Sequence, residues 1–270
     1  MARIPRKYIK FSSESYYHII SHLADELPYL RPHEKNFLLS LLHRLSKIFY
    51  VGIISYAFMG NHFHLLIKTF DNNYFSEKEA IDRAFALYPK NVVLSHSETY
   101  WKAKLTDISF FVKELKQRFS QWYNKLHQRK GHVWRGRFKS IIVESQKGLI
   151  AASSYIDLNP TRAGAARTLT SYNWNSYTAR KANLGKWLLS IKEILGLDLR
   201  EYGELLEQLS QIKIGRKAIL YKTQPSLYRY ILQYTAKGIV FGTVNFVEKF
   251  LKTIPIKRRK KVKFSGMILA

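Results

Sequence analysis

The sequence predicts an α+β fold, because segments with the periodicity of strands and of helices follow one another along the chain. Apolar and polar residues alternate over 16–21, which is typical of a strand with one buried face. Apolar residues recur at helical spacing over 32–49, and the segment 49–59 is rich in β-branched and aromatic residues. A Gly-Asn pair at 60–61 then predicts a tight turn into a further strand over 62–69. The first half is therefore predicted to be a strand, a helix and a β-hairpin.

The second half of the predicted domain adds two helices and a strand. One apolar stripe predicts an amphipathic helix over 108–126, followed by a strand over 138–143 and a helix over 145–158. The segment 71–106, between the hairpin and the long helix, is expected to be an insertion. It is predicted to be helical around 77–87, and we assign no chemistry to it.

Beyond residue 185 the composition shifts to Lys-rich helical segments, which predict a C-terminal extension. These segments are 187–197, 202–212, 227–234 and 244–251, and a basic cluster over 257–263 follows them. We therefore expect one domain over 1–185 and a basic helical extension over 186–270 that binds DNA. A disordered, solubilising tail is the alternative interpretation of the basic cluster.

Composition points to a nucleic-acid partner for a chain that can bury one substantial core. The 270 residues are 46% hydrophobic, and 45 Lys and Arg against 19 Asp and Glu give a formal net charge of +26. This charge attracts a polyanion, although it does not distinguish DNA from RNA. The chain has no cysteine, which excludes disulfides, thiolate nucleophiles and cysteine-bound zinc.

The sequence also predicts where the protein works. The longest apolar stretch, 48–59, is shorter than the roughly 20 residues that cross a bilayer, and the basic first ten residues do not form a signal peptide. We therefore expect a cytoplasmic, nucleoid-associated protein without a membrane partner.

The segment from Lys113 to Lys139 has the composition of a single-strand binding surface. It holds nine Lys or Arg and a single acidic residue, interleaved with aromatic residues. Cations neutralise phosphates, and aromatic rings stack on unpaired bases. The predicted DNA-binding residues are Lys113, Lys116, Arg118, Arg129, Lys130, Trp134, Arg135, Arg137 and Lys139, with Arg162 further downstream. A solvated helix face with core aromatics is the alternative, but for Trp134, which lies between glycines and arginines, base stacking is favoured.

Four residues could carry chemistry. His62 and His64 are two apart on a predicted strand, so their side chains share a face and together make half of a metal site. Tyr155 and Asn159 are four apart near the end of a predicted helix that Pro160 should terminate, so they share one edge. A single histidine on a strand is more often structural, and so is any one of the 18 tyrosines of this chain. The combination of the two histidines with the tyrosine and the asparagine is what suggests a function.

Three blocks of sequence, in this order, resemble the REP-associated tyrosine transposases, a branch of the single-tyrosine HUH transposases. The blocks are Met59 to Leu66, Gly131 to Ser140 and Tyr155 to Gly164, and the resemblance covers roughly residues 5 to 180. Gly60 replaces the family's usual proline, and Arg135 stands where glutamine is frequent. Neither departure falls on the residues expected to carry the chemistry.

The resemblance implies a ferredoxin-like antiparallel sheet with helices on one face. It also implies a divalent metal, Mg or Mn, held by His62, His64 and Asn159, with Tyr155 as the nucleophile. Mixed imidazole and oxygen ligation suits these ions. The implied activity is cleavage and strand transfer of single-stranded DNA near REP-like hairpins through a 5′-phosphotyrosine.

Other functions remain open at this point. A rolling-circle replication initiator or relaxase would share the histidines and the tyrosine. A non-catalytic regulator that binds hairpin DNA is a different class, against which the four intact site residues speak. A metal-dependent hydrolase would use water in place of Tyr155. No dedicated general base is evident, because His132 is best interpreted as a loop histidine.

Overall fold

The computed structural model describes residues 14–70, 74–211, 240–243, 246, 248–249, 252 and 267–268. The strands in these ranges are β1 (Ser15–His22), β2 (Val51–Phe58), β3 (His62–Thr69), β4 (Lys139–Val143), β5 (Val240–Thr243) and β6 (Met267–Ile268). The longer helices are α1 (Pro32–Ile48), α2 (Glu77–Phe85), α4 (Glu98–Thr106), α5 (Ile108–Leu126), α6 (Gln146–Asp157) and α10 (Leu199–Gln211). The short helices are α3 (Lys90–Leu94), α7 (Asn159–Arg162), α8 (Ser176–Lys181) and α9 (Ile191–Leu195).

The sheet has the strand order β2-β3-β1-β4-β5-β6. Its first four strands are antiparallel, and β5 and β6 add short parallel pairings beyond β4. Because α1 connects β1 to β2 and α5 precedes β4, this is the ferredoxin-like arrangement. The predicted α+β class is confirmed, and the bounds predicted for β3 and α5 agree with the structure.

One face of the sheet packs against α1 and α5 and forms the larger core. Phe63, Leu65 and Ile67 of β3 are buried on this face, as their alternation with the histidines predicts. We call it the α1–α5 face. The predicted insertion belongs to the same core, because α2 and α4 bury Ala80 and Trp101 within it. The insertion is therefore integral to the packing.

The opposite face is covered by helices as well, in addition to the one helical face that was expected. Ile20 and Leu66, whose side chains emerge on this second face, pack in a separate core with residues of α6, α9 and α10. A sheet that presents apolar side chains on both faces must bury both of them, which requires a helical layer on each side. The same core includes Tyr202, so the packing has no break at the predicted boundary near residue 185.

The C-terminal segments follow the sequence prediction only in part. The helix predicted over 187–197 is limited to α9, and the one predicted over 202–212 begins three residues earlier, at Leu199. The helix predicted over 227–234, most of 244–251 and the basic cluster 257–263 lie outside the described residues. Among the helices that are described, none combines the length and apolarity needed to cross a membrane.

Candidate active site

His62 and His64 lie on the face of the sheet that is opposite to α1 and α5. In the pairing of β1 with β3, His22 faces His62 and Ile20 faces His64. His64 is almost fully buried, with 3% of its surface exposed, whereas His62 is half-buried near the start of the strand. The predicted common orientation of the two imidazoles is confirmed. We call this surface of the sheet the histidine face.

Tyr155 and Asn159 meet these histidines from the helical layer that covers the histidine face. The Tyr155 ring lies edge-on to His64, with the ring centroids 5.7 Å apart. The Asn159 amide nitrogen is 3.3 Å from His64 Nε2, and the Asn159 side chain also hydrogen-bonds His62. Four residues separated by more than ninety positions, from His62 to Asn159, are thus in one cluster.

The local backbone around Asn159 differs from the prediction. Helix α6 ends at Asp157, and Asn159 begins the short helix α7 rather than the last turn of α6. Pro160 occupies the first turn of α7, where a missing N–H costs nothing because that group has no helical acceptor. The predicted stop at Pro160 is therefore replaced by a restart one turn after Tyr155.

Each histidine of the pair has its Nδ1 engaged by a neighbour. His62 Nδ1 is 2.7 Å from Asn61 Oδ1, and His64 Nδ1 is 2.8 Å from His18 Nε2. An imidazole that donates its Nδ1–H to a neighbour keeps the lone pair on Nε2, and this arrangement is typical of histidines that bind metals. The Nε2 atoms are therefore the nitrogens that would serve as ligands, and the Nε2 of His64 faces the Asn159 side chain.

Two further histidines, His18 and His22 of β1, complete the cluster and were not recognised from the sequence. The His22 and His62 rings are stacked with centroids 5.2 Å apart, and His18 lies 5.0 Å from His64 and 5.9 Å from Tyr155. Their spacing of four places both on one face of a strand, which was a usable signal. What the spacing alone could not show is that β1 is the neighbour of β3.

Burial keeps these imidazoles neutral near pH 7. It lowers the pKa of His62 to about 4, with a further contribution from His22, and lowers the pKa of His18 to about 3. The pKa of His64 is also well below its usual value, because of burial and the neighbouring histidines. A neutral imidazole has a lone pair to offer, so protons do not compete with a metal at neutral pH.

Tyr155 has a positively charged neighbour in Arg162, which was predicted to contact DNA. Burial raises the pKa of the Tyr155 hydroxyl, and the charge of Arg162 opposes this effect. The phenol is therefore protonated at neutral pH, and Arg162 is placed to stabilise negative charge that develops on its oxygen. This position links Arg162 to the predicted nucleophile, in addition to its predicted contact with DNA.

The donor set suits a divalent cation only if the asparagine takes part. Within the described part of the chain, no three His, Asp or Glu side chains are grouped in a way that could hold a metal ion. Two imidazole nitrogens and the carbonyl oxygen of Asn159 would provide three neutral ligands from two elements, β3 and α7. Three ligands leave positions open for a substrate oxygen, as in catalytic rather than structural sites. The residues present therefore fit a catalytic metal.

Asp157 anchors the helix that carries Tyr155. Its buried carboxylate accepts hydrogen bonds from Ser176 Oγ at 2.6 Å, the Tyr177 backbone N–H at 2.9 Å and Tyr202 Oη at 2.9 Å. Burial raises the pKa of Asp157, and these three donors oppose that shift. The carboxylate thus ties α6 to α8 and α10.

Replacing Asp157 by alanine is expected to destabilise the protein by about 3 kcal/mol, because two buried hydroxyls lose their acceptor at about 1–3 kcal/mol each. Asp157→Asn keeps a carbonyl acceptor and should cost clearly less. Urea unfolding of the two variants measures the difference. Equal stability of Asp157→Ala and the unmodified protein would contradict the anchoring role.

The predicted DNA-binding residues divide between two surfaces. A cavity of about 430 Å³ lies between α5 and the segment 134–138, on the α1–α5 side. Its lining includes Lys113, Lys116 and Arg137 and no acidic residue; we call it the α5 groove. Lys139 instead lies on the histidine face, because it pairs with Ile20 across β1 and β4.

Trp134 does not have the position that base stacking requires, so that prediction is wrong. Its ring is only 6% exposed and packs against Phe63 and Phe119, with centroids 5.3 Å and 5.2 Å away. Its Nε1 donates to the Lys116 carbonyl at 3.0 Å. The side chain borders the α5 groove but belongs to the core. Flanking glycines and arginines did not reveal this burial.

Arg118 is also committed within the protein. It forms a 2.8 Å ion pair with Glu114, one turn earlier in α5, and donates to the Leu87 carbonyl at 3.2 Å. Its charge is compensated, so the predicted phosphate contact is not supported. The sequence shows Glu114 four residues away, and that spacing was the available signal.

The remaining cations lie around the loop after α5. Arg129 donates to Asn124 at 3.3 Å, Lys130 is exposed, and exposed Arg135 pairs with Asp25 at 3.2 Å. An exposed ion pair of this kind contributes little stability, so it can yield to a phosphate. His132 is exposed too, and its Nε2 is 3.5 Å from Glu26 rather than near Tyr155. The structure thus gives it no role as a general base.

Comparisons with known proteins show a similarity in structure. No family model and no curated protein matches the sequence. Among solved structures, the chain is similar to a REP-associated tyrosine transposase bound to a REP hairpin, with 13% identity and a TM-score of 0.46. The alignment covers 81% of this chain and 99% of that one. That protein carries the name of the family that the three sequence blocks resemble.

Proposed function

We propose that this protein is a metal-dependent endonuclease and strand transferase for single-stranded DNA, a transposase that cleaves near hairpins through a 5′-phosphotyrosine. The observation that carries the proposal is the convergence of His62 and His64 with Tyr155 and Asn159 on the histidine face. A nucleophile beside a set of metal ligands is what phosphodiester cleavage by a side chain needs. The net charge of +26 provides attraction for the substrate.

His62, His64 and Asn159 would hold a divalent Mg or Mn ion that serves as a Lewis acid toward the scissile phosphate. The two histidines suit metal binding, because both are neutral and each has its Nδ1 in a hydrogen bond. The Asn159 side chain contacts both of them.

Tyr155 then attacks the phosphorus through its hydroxyl oxygen. The Tyr155 oxygen–phosphorus bond forms, the bond from phosphorus to the 3′ oxygen breaks, the phenolic proton is lost to solvent, and the departing 3′ oxygen takes up a proton. Arg162 favours the step by stabilising negative charge on the phenol oxygen. The product is a 5′-phosphotyrosine and a free 3′-hydroxyl.

The same chemistry run backwards joins strands. A 3′-hydroxyl of a second strand can attack the phosphotyrosine and release Tyr155, so the number of phosphodiester bonds is conserved and no ATP is required.

Because the cleavage step links Tyr155 covalently to the DNA, cleavage in the presence of Mg or Mn should leave a protein–DNA adduct that resists denaturant. A label at the 3′ end of the substrate should travel with the protein, and a label at the 5′ end should not.

The α5 groove is the surface that we expect to bind the single-stranded DNA. Charge reversal at Lys113 and Arg137 together should lower the affinity for single-stranded hairpin DNA by on the order of tenfold at moderate salt. It should also reduce the slope of log affinity against log salt by about 1.4, which is about 0.7 for each lost phosphate contact. Binding titrations at several salt concentrations measure both effects.

The matched control for this pair is Lys78→Glu with Lys90→Glu. Both lysines are exposed on the insertion helices, and the double variant changes the net charge by the same amount. Its salt slope should stay close to that of the unmodified protein. An equal reduction in both double variants would show a general charge effect and would refute a specific role of the groove.

A further inference from the structure

His18 is the buried neighbour of a proposed metal ligand and has no part in the chemistry described above. It is fully buried on the histidine face, and its Nε2 is 2.8 Å from His64 Nδ1. It lies on β1, beside the β3 strand that carries His64. The contact therefore joins two strands of the sheet at the base of the site.

Two imidazole nitrogens at this distance can share only one proton. If both nitrogens carried hydrogen, two N–H groups would face each other at 2.8 Å, so one nitrogen must donate and the other must accept. When His64 donates from Nδ1, its Nε2 keeps a lone pair. When His18 donates instead, the proton of neutral His64 is on Nε2, which then cannot bind a metal.

The Asn159 amide indicates which arrangement the site adopts. Its Nδ2 is 3.3 Å from His64 Nε2, and an amide nitrogen can only donate. With the amide in this orientation, His64 Nε2 accepts the hydrogen bond and the proton of His64 is on Nδ1. It follows that His18 Nε2 accepts the hydrogen bond and that the proton of neutral His18 is on Nδ1.

We propose that His18 is a positioning residue that holds His64 in its Nδ1-protonated tautomer and so directs the lone pair of Nε2 toward the metal position. The inference rests on the metal site of the proposed function and assigns a task to a residue outside it. Removal of an outer partner of a ligating histidine typically weakens metal affinity 10-fold to 100-fold. A space-filling role would predict no such loss when an apolar side chain of similar volume takes the place of His18.

The test compares His18→Leu with His18→Gln in the full-length protein. Leucine fills the buried space without an acceptor, whereas the glutamine carbonyl can accept the proton from His64. Mn²⁺ affinity, measured by electron paramagnetic resonance or calorimetry without DNA, should fall roughly 10-fold to 100-fold in His18→Leu. It should stay within about threefold in His18→Gln. His43→Leu, which removes a histidine stacked on Trp187, should leave the affinity unchanged.

A second readout reports the tautomer directly and does not depend on any variant. Nitrogen-15 NMR of the metal-free, unmodified protein should show His64 protonated at Nδ1. A signal from Nε2-protonated His64 would overturn the inference even if His18→Leu failed to fold. Unchanged Mn²⁺ affinity in a folded His18→Leu variant would overturn it as well.

The Mn²⁺ titration also separates this inference from the proposed function. His64→Ala should lose Mn²⁺ binding if the metal site exists. If His64→Ala binds Mn²⁺ as well as the unmodified protein, the metal site itself is wrong and the inference fails with it. If only His64→Ala loses binding and His18→Leu does not, the metal site stands and the role of His18 is refuted.

Discussion

Replacement of Tyr155 by phenylalanine is expected to abolish the covalent protein–DNA adduct and to reduce cleavage by roughly 10³-fold or more, as loss of a nucleophile does in other enzymes. Phenylalanine keeps the ring that packs edge-on to His64 at 5.7 Å and removes only the hydroxyl. Folding and DNA binding should therefore be retained. Denaturing electrophoresis with a 3′-labelled hairpin substrate measures the adduct, and a two-strand assay measures transfer.

Tyr123→Phe is the matched control for this variant. Tyr123 is flanked by basic residues in sequence, but it is 2% exposed in the core of the α1–α5 face and packs against Phe119 and His127. Its phenylalanine variant should form the adduct normally. Mass spectrometry of the trapped adduct provides the decisive assignment. A nucleotide attached to any tyrosine other than Tyr155 would refute the assignment and weaken the case for Asn159 as a ligand.

Replacement of His64 by alanine is expected to eliminate metal-dependent cleavage, and excess chelator should have the same effect on the unmodified protein. Loss of Lewis-acid stabilisation raises the activation free energy of cleavage by several kcal/mol. The rate should therefore fall by roughly 10³-fold. DNA affinity should change little, because the α5 groove lies on the other side of the sheet. Cleavage rates with and without Mg or Mn, beside equilibrium binding to the same hairpin, measure the two properties separately.

His64 is buried among other side chains, so a second variant is needed in case His64→Ala unfolds. His62→Ala removes a half-buried proposed ligand at the start of β3 and should lose cleavage with less effect on stability. His43 lies on α1, away from the histidine cluster, so the His43→Ala variant should cleave normally. Full activity of a folded His62→Ala or His64→Ala variant would exclude the metal site, as would full activity in chelator.

Some features of this protein could be predicted from the sequence because they depend only on local periodicity. The alternation along β3 determines that His62 and His64 share one face while Phe63, Leu65 and Ile67 share the other. The helical stripe of α5 gave bounds that agree with the structure. These patterns are local because each residue's orientation is set by its neighbours within one element.

The resemblance to a known family supplied what periodicity could not, namely which distant residues belong together. Nothing in the spacing of residues 64 and 155 predicts that they meet. The tertiary fold decides this, because β3 lies in the interior of the sheet and α6 packs over β2 and β3. The structure brings the four residues together, and their roles in catalysis remain a prediction.

Only the tertiary structure decided the remaining features, and in each case the reason is a contact between distant elements. His18 and His22 join the site because β1 pairs with β3. Trp134 is a core residue because Phe63 and Phe119 enclose it, although its sequence neighbours are polar. Local sequence determines which way a side chain points within its own helix or strand. Burial and charge compensation depend on what the rest of the chain places opposite to it, and so they follow from the packed fold.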